Sequence, residues 1–274
     1  MALSRNLELL ELRFLGARNG SSTSHTNAFF MPDSETLVLI DLSLLNVQKA
    51  QRIIQRYRDR LTRVIICLTH THADHVSGVS MLAYIVEHLL SEVRLEIIAD
   101  SRVLLAARSI LDAEGAKEAD GIVVYRAPDI KKFAWDGQEP IPANYHWFGR
   151  AIPTEHDRNL LAATGFLFRV NGKAVVYSGD TNTLEPFEHQ VWAIAEEETD
   201  HRETPIELYL EVQNKKWPAH LYFPEIRPRV EEMLREIPQL NVIFMHYDNY
   251  RQLRWACTSF PEELQERVWI ANKL

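Results

Sequence analysis

The sequence predicts an α/β fold with two mixed β-sheets and helices on the outside. Short β-like runs alternate with helix-like runs along most of the chain, and residues 121–178 read as mostly β. The 274 residues, 46% hydrophobic and 25% charged, have the composition of an ordinary globular protein with a sizeable core. Because no low-complexity tract, linker or 20–50-residue repeat interrupts the chain, we expect a single domain over residues 1–274.

In the first half, apolar periodicity and turn residues place the elements in order. Strands are predicted at residues 9–14, 27–31, 36–41, 63–68 and 94–99. Helices are predicted at residues 44–59 and 76–90, followed by a helix that Ser101 caps and that ends near residue 112.

In the second half, the runs GFLFRV and KAVVYS flank Asn171 and Gly172, a dipeptide typical of a two-residue β-hairpin turn. Further strands are predicted at residues 207–212 and 241–246. The predicted helices between and around them cover residues 185–198 and 225–236.

Charge and cysteine content narrow the class of protein. A net charge of −8 argues against a protein whose main task is coating nucleic acid. Two cysteines cannot form a disulfide framework, which suits a reducing compartment, and the apolar run around Cys67 predicts a core position for it. With no secretory signal and no membrane-length apolar run, we expect a soluble cytoplasmic protein without a membrane partner.

The stretch THTHADHVSG, residues 69–78, contains three histidines and one aspartate within six positions, all residue types that bind metal ions. His70 and His72 alternate in an extended segment, so both imidazoles can reach one ion. Asp74 and His75 fall where the chain turns into the next helix and can face a neighbouring ion. Imidazole and carboxylate ligands suit Zn²⁺, and also Mn²⁺ or Fe²⁺. We therefore predict a metal site, since this density of histidine is improbable by chance.

The sequence resembles the metallo-β-lactamase superfamily, whose fold is a four-layer αββα sandwich with two metal ions at one edge. Besides H-x-H-x-D-H, the matching motifs are AIPTEHD, VVYSGDT and VIFMHYD. The resemblance implies one ion held by His70, His72 and His156, a second held by Asp74, His75 and His246, and a bridging ligand from Asp180. It also implies hydrolysis by a metal-bridging hydroxide, with Zn²⁺ as the expected ion and Asp74 counted among the catalytic residues.

One segment, LYLEVQNKKWPAHLYFPEI, resembles the phosphodiesterase branch of the superfamily, including ribonuclease Z and class II cyclic nucleotide phosphodiesterases. In that branch a glutamate orients a histidine that can protonate the leaving oxygen, which implies these roles for Glu211 and His220. The run from Glu211 to Pro224 is particularly similar to the cyclic nucleotide enzymes. A ribonuclease Z would show a histidine where this chain has Leu210, and small residues at Leu221 and Tyr222.

The expected substrate is a small or cyclic nucleotide phosphodiester. The stretch between His156 and Asp180 has room for one hairpin but not for the tRNA-gripping arm of ribonuclease Z enzymes. His25 and Arg158 are the candidate substrate contacts. Lys215 and Lys216 could contact phosphate, while Trp217 or Tyr247 could stack on a base. The partners are therefore expected to be a small molecule rather than nucleic acid, and a second copy of the chain in a homodimer.

Three other functions stay open at this point. The same seven ligands serve hydrolases of carboxylic esters, lactones or thioesters, which would not need the pair Glu211 and His220. A ribonuclease Z-like RNA-processing nuclease would use that pair, and a non-enzymatic binding protein would be favoured by a missing ligand. Because fold alone does not determine function, the site chemistry has to discriminate among them.

Overall fold

The computed structural model describes residues 10–90, 93–114, 122–126, 139–140, 145–157, 161–197 and 204–271. The chain divides into two compact units. Leu12–His146 with Lys273–Leu274 form the first unit, and Met1–Glu11 with Trp147–Asn272 form the second unit. Each unit contains one mixed β-sheet with helices, which confirms the predicted α/β class. The single domain over residues 1–274 stays a prediction.

The first unit is built on a seven-stranded sheet with its strands in chain order. The strands are β1 (Arg13–Gly16), β2 (Asn27–Phe30), β3 (Thr36–Ile40), β4 (Arg63–Leu68), β5 (Arg94–Ala99), β6 (Ile122–Arg126) and β7 (Glu139–Pro140). β1, β2 and β3 pair antiparallel, and β3 to β7 pair parallel. The helices are α1 (Val47–Arg56), α2 (Ala73–Val76), α3 (Val79–Leu89) and α4 (Ser101–Ala113). The parallel strands β3 and β4 are almost wholly buried, as their continuous apolar runs require.

The second unit repeats this pattern on a six-stranded sheet of order β13-β12-β11-β10-β9-β8. Its strands are β8 (Phe148–His156), β9 (Leu161–Val170), β10 (Lys173–Tyr177), β11 (Ile206–Glu211), β12 (Leu240–Met245) and β13 (Val268–Ile270). β8, β9 and β10 pair antiparallel, and β10 to β13 pair parallel. The helices are α5 (Glu185–Glu197), α6 (Phe223–Glu236), α7 (Tyr250–Cys257) and α8 (Glu262–Gln265).

Several predicted boundaries differ from the structure, and three of these differences have a local cause. The first strand was predicted at residues 9–14, but β1 covers Arg13–Gly16 because its partners are Asn27 to Phe29. The helix predicted at residues 76–90 begins only at Val79, since Gly78 is its N-cap and Val76 ends the preceding short helix α2. Asp100, rather than Ser101, caps α4, because its carboxylate accepts the backbone N–H of Arg102.

Two local predictions are confirmed by backbone geometry. Asn171 and Gly172 both have positive φ, 51° and 75°, and join β9 to β10 as a two-residue turn. Gly78 allows a close backbone approach, because a Cβ there would lie 2.6 Å from the Ser43 carbonyl oxygen. Cys67 is fully buried as expected.

The two sheets place polar residues where their parallel strands end. In the first unit, Asp41 follows β3 and His70 follows β4 shortly after its end. In the second unit, Asp180, Glu211 and His246 lie at or just after the ends of β10, β11 and β12. Because the carboxyl ends of parallel strands meet at one edge, each sheet collects its chemistry there. Within the described ranges, no helix is long and apolar enough to cross a membrane.

Candidate metal centre

The first unit brings His70, His72, Asp74 and His75 together, as the motif predicts. The Nε2 atom of His70 lies 3.2 Å from Nδ1 of His72. The Nε2 atom of His75 lies 3.4 Å from the Asp74 carboxylate. His70 and His75 are buried, and α2 carries Asp74 and His75 directly after the extended segment. Four candidate ligand side chains thus converge within one loop and one helical turn.

Hydrogen bonds hold two of these imidazoles in a defined tautomer. The Thr69 hydroxyl donates to Asp41 and lies 3.0 Å from Nδ1 of His70, so its oxygen accepts a hydrogen bond from the Nδ1–H group. The Asp41 carboxylate lies 2.8 Å from Nδ1 of His75 and can only accept. Both rings therefore carry their proton on Nδ1 and present the lone pair of Nε2, the arrangement that a metal ligand needs.

Asp41 is a positioning residue that the motif analysis missed. Its carboxylate also accepts the backbone N–H of Thr69 at 2.8 Å, so it organises the whole loop. Asp41 has a φ of 58°, a left-handed conformation that is uncommon outside glycine and concentrates at functional sites. Burial raises the pKa of its carboxyl, while the contacts with His75 and Thr69 oppose that rise. The sequence feature that could have identified Asp41 is its position directly after the apolar run TLVLI, at the end of a predicted strand.

Asp41→Asn should weaken divalent-metal binding by about 10- to 100-fold, the usual effect of removing a partner that orients a ligand. Asparagine tolerates the left-handed backbone, so the change removes charge and leaves the turn. Zn²⁺ titration against a competing chelator measures the affinity. Glu96→Gln is the matched control, because it neutralises another buried carboxylate of the same unit that is bound to Tyr145. Equal Zn²⁺ affinities in the parent and in Asp41→Asn would show that Asp41 does not support metal binding by the loop at residues 69–75.

The second unit brings His156, Asp180 and His246 together. The Asp180 carboxylate lies 3.0 Å from Nε2 of His246 and 4.0 Å from Nε2 of His156. All three side chains are buried. Nδ1 of His156 donates to the Ala219 carbonyl oxygen at 2.9 Å, so its Nε2 again presents a lone pair. His246 has a φ of 56°, and Gln213 donates to its carbonyl oxygen, which fixes this turn after β12.

The pair of Glu211 and His220 forms as the resemblance implies. The Glu211 carboxylate lies 2.9 Å from Nδ1 of His220 and accepts the backbone N–H groups of Thr181 and Leu221. The Glu211 carboxylate is fully buried and accepts three hydrogen bonds. It therefore holds the His220 imidazole with its proton on Nδ1 and its Nε2 on the side away from Glu211. The His220 ring centroid lies 5.5 Å from that of His246. His220 itself lies in a turn before α6 rather than in the helix.

These residues fit divalent transition-metal ions. Ligand atoms on a tetrahedral ion, each 2.0–2.1 Å away, lie about 3.3 Å apart. The separations between His70 and His72 and between Asp180 and His246 are close to this value. Asp180, Glu211, His220 and His246 each offer a ligand atom, and these atoms lie within 4.8 Å of one another. The donor set of imidazole and carboxylate is that of Zn²⁺, Mn²⁺ or Fe²⁺.

The other predicted contacts have different outcomes. His25 is half-buried in the loop between β1 and β2, and Arg158 lies outside the described residues. A Cβ on Gly20, in the same loop as His25, would lie 2.6 Å from the Asp74 carboxylate, so this loop passes close to a candidate ligand. Tyr247 is buried and donates to the Ala271 carbonyl oxygen, so it cannot stack on a base. Trp217 is exposed and stays a candidate.

The sequence matches one described family over most of its length. Residues 36–247 match the family described as Beta-lactamase superfamily domain. The chain belongs to the metallo-β-lactamase superfamily. Its membership and its histidine and aspartate groups identify this superfamily member as a metal-dependent hydrolase that uses divalent ions. The predicted fold class and superfamily are thereby confirmed. None of the curated protein sequences matches the chain.

Solved structures share the fold at low sequence identity. Human tRNase Z, short form, has a TM-score of 0.60 at 14% identity, over 96% of this chain and 97% of that one. A long form RNase Z from yeast has a TM-score of 0.55 at 11% identity, over 90% of this chain and 39% of that one. Zn²⁺-bound PqqB from Methylobacterium extorquens has a TM-score of 0.53 at 12% identity, over 97% and 99%. At such identities the likeness shows the fold.

Proposed function

We propose that this protein is a phosphodiesterase that cleaves a small or cyclic nucleotide phosphodiester. The observation that carries the proposal is the hydrogen bond of 2.9 Å between Glu211 and His220, beside the candidate ligands Asp180 and His246. The likeness to two RNase Z structures supports phosphodiester chemistry. Hydrolysis of a carboxylic ester or lactone would not need Glu211 and His220 to protonate the leaving group.

The proposed metal ligands are the seven residues that the superfamily motif implies: His70, His72, Asp74, His75, His156, Asp180 and His246. Two divalent ions bound by this set would supply an activated water and neutralise charge on the phosphate. The carbonyl of Ala219 and the carboxylate of Asp41 hold His156 and His75 in the required tautomer. The Zn²⁺-bound PqqB structure is a precedent for zinc in this fold.

His220 is the proposed general acid. Glu211 keeps the proton of the ring on Nδ1 and stabilises the imidazolium, so Nε2 can carry a second proton and release it. A ribose alkoxide is a poor leaving group, and general acid catalysis typically contributes 10²- to 10⁴-fold. The backbone N–H of Thr181 donates to the same carboxylate, so Glu211 positions His220 relative to the turn that carries Asp180.

A substrate panel tests the proposed function. Metal-loaded protein should hydrolyse bis-p-nitrophenyl phosphate and at least one small nucleotide diester, with little cleavage of precursor tRNA or of an acyl lactone. A 3′,5′-cyclic nucleotide and a dinucleotide represent the two forms of small diester. Efficient tRNA cleavage with small diesters untouched would move the assignment to an RNA-processing nuclease. Lactone hydrolysis alone would overturn the phosphodiesterase proposal.

Metal analysis gives an independent prediction. Protein purified without chelator should contain about two transition-metal ions per chain, and chelation should remove both the ions and the hydrolysis of bis-p-nitrophenyl phosphate. Elemental analysis before and after dialysis against chelator measures the content. Restoring Zn²⁺ or Mn²⁺ should restore the activity. Protein that holds no metal and takes up neither ion would contradict the catalytic assignment.

A further inference from the structure

The outer face of α7 is unusual in a chain with a net charge of −8. It exposes Arg251, Arg254 and Trp255, and Trp255 is 79% exposed, the largest exposure of any large apolar side chain among the described residues. The opposite face of the helix packs Leu253 and Cys257 into the core. We call Arg251, Arg254 and Trp255 the α7 surface.

The two arginines of the α7 surface have no carboxylate partner among the described residues, whereas Arg227, for example, pairs with Glu231 in the same unit. Arg229 pairs with Glu188, and Arg235 pairs with Glu231 and Glu263. Asp248, which precedes α7, is bonded to Asn214 instead. The α7 surface therefore keeps a local excess of positive charge that the overall balance conceals.

The helix that carries the α7 surface begins at Tyr250, four residues after the candidate ligand His246. His246 follows β12, and Asn249 caps α7 by accepting the backbone N–H groups of Arg251 and Gln252. The Asn214 side chain donates to the Asn249 carbonyl oxygen. This bond joins the start of α7 to the turn at residues 214–217, which leads to His220. One hydrogen bond thus links the start of α7 to the segment that carries the proposed acid.

We propose that the α7 surface binds a short single-stranded oligonucleotide, so that the substrate of the proposed phosphodiesterase is linear. Arg251 and Arg254 are three residues apart on a helix, with Cβ atoms about 5–6 Å from each other, which suits successive phosphates of one strand. The Trp255 ring is free to stack on a base of any identity. A cyclic nucleotide has one phosphate and one base, and it would leave most of these groups without a contact.

Charge complementarity selects a nucleic acid strand over other occupants. An apolar partner protein would bury two arginines without carboxylates to pair with them, which is unfavourable. A duplex would hide its bases from Trp255, whereas a single strand offers both a base face and phosphates. Lys215 is exposed and follows Asn214, so it adds a positive charge to the turn that is joined to α7. This inference rests on the proposed phosphodiesterase function for its kinetic consequence, but binding can be measured without it.

Binding of a fluorescent single-stranded hexanucleotide, measured by anisotropy, tests the α7 surface directly. Trp255→Ala should weaken binding by about tenfold, the scale of one base stack. Arg251→Gln with Arg254→Gln should lower the slope of log affinity against log salt by about 0.7 for each phosphate that the protein no longer neutralises. Arg52→Gln on α1 and Tyr84→Ala on α3 are matched controls, because both residues are exposed and lie in the first unit. Unchanged affinity and salt slope in the α7 variants would overturn the inference.

Kinetics separate this inference from the proposed function. In the α7 variants, the ratio of kcat/KM for the hexanucleotide to that for bis-p-nitrophenyl phosphate should fall about tenfold, mainly through KM. A parent protein that hydrolyses neither diester contradicts the phosphodiesterase function, whatever the anisotropy shows. A parent that hydrolyses both, with the same ratio in the α7 variants, overturns the α7 surface alone. Preference for a cyclic nucleotide over the hexanucleotide would also overturn it.

Discussion

Asp180→Ala should abolish hydrolysis of bis-p-nitrophenyl phosphate. It should also lower the metal content from about two ions per chain to less than about one ion per chain. The superfamily motif assigns Asp180 to both ions, and its carboxylate lies 3.0 Å and 4.0 Å from Nε2 of His246 and His156. By that assignment, the substitution removes a charge that both ions would share. Because His246 and His156 would lose the carboxylate that lies 3.0 Å and 4.0 Å from them, added metal should not restore activity.

His246→Ala is the comparison for that experiment. It removes one neutral ligand and should mainly empty one ion position, so about one ion per chain should remain. Elemental analysis of both variants at equal protein concentration measures the difference, and thermal unfolding confirms that each is folded. If Asp180→Ala keeps two ions, Asp180 does not bridge them and the ligand assignment has to be redrawn.

His220→Ala should lower turnover of a small nucleotide diester by about 10²-fold or more, while turnover of bis-p-nitrophenyl phosphate falls much less. A p-nitrophenolate departs without a proton, whereas a ribose alkoxide requires one. Glu211→Gln should show a milder version of the same pattern, since the carboxylate positions the histidine without transferring the proton. The measurement is the ratio of mutant to parent turnover for each substrate at equal metal loading.

Metal content decides between two roles for His220. His220 belongs to a group of four side chains that could hold an ion, so it could be a ligand instead of an acid. If it is the acid, His220→Ala keeps about two ions per chain. If His220→Ala lowers turnover of both substrates equally and also loses one ion per chain, His220 is a metal ligand. No decrease on either substrate would remove the main reason for preferring a phosphodiesterase to a lactonase.

The sequence by itself predicted the fold class, the superfamily and the candidate ligands. The metal motif and the turn were predicted from local features, namely the spacing of His70 and His72 in an extended segment and the φ preferences of Asn171 and Gly172. The superfamily and the complete ligand set were predicted from the resemblance of the motifs. Helix boundaries were less accurate. Asp100 and Ser101 are both good capping residues, and only the actual backbone decides which carboxylate or hydroxyl reaches the free N–H group.

Tertiary structure decided the contacts between residues that are distant in sequence. Asp41 is far from His75 along the chain, and only the parallel pairing of β3 with β4 brings its carboxylate to the imidazole. The Ala219 carbonyl that orients His156 carries no side-chain signal at all. The charge of the whole chain likewise concealed the α7 surface, because the sign of a local field depends on which charges the fold pairs and which it leaves exposed.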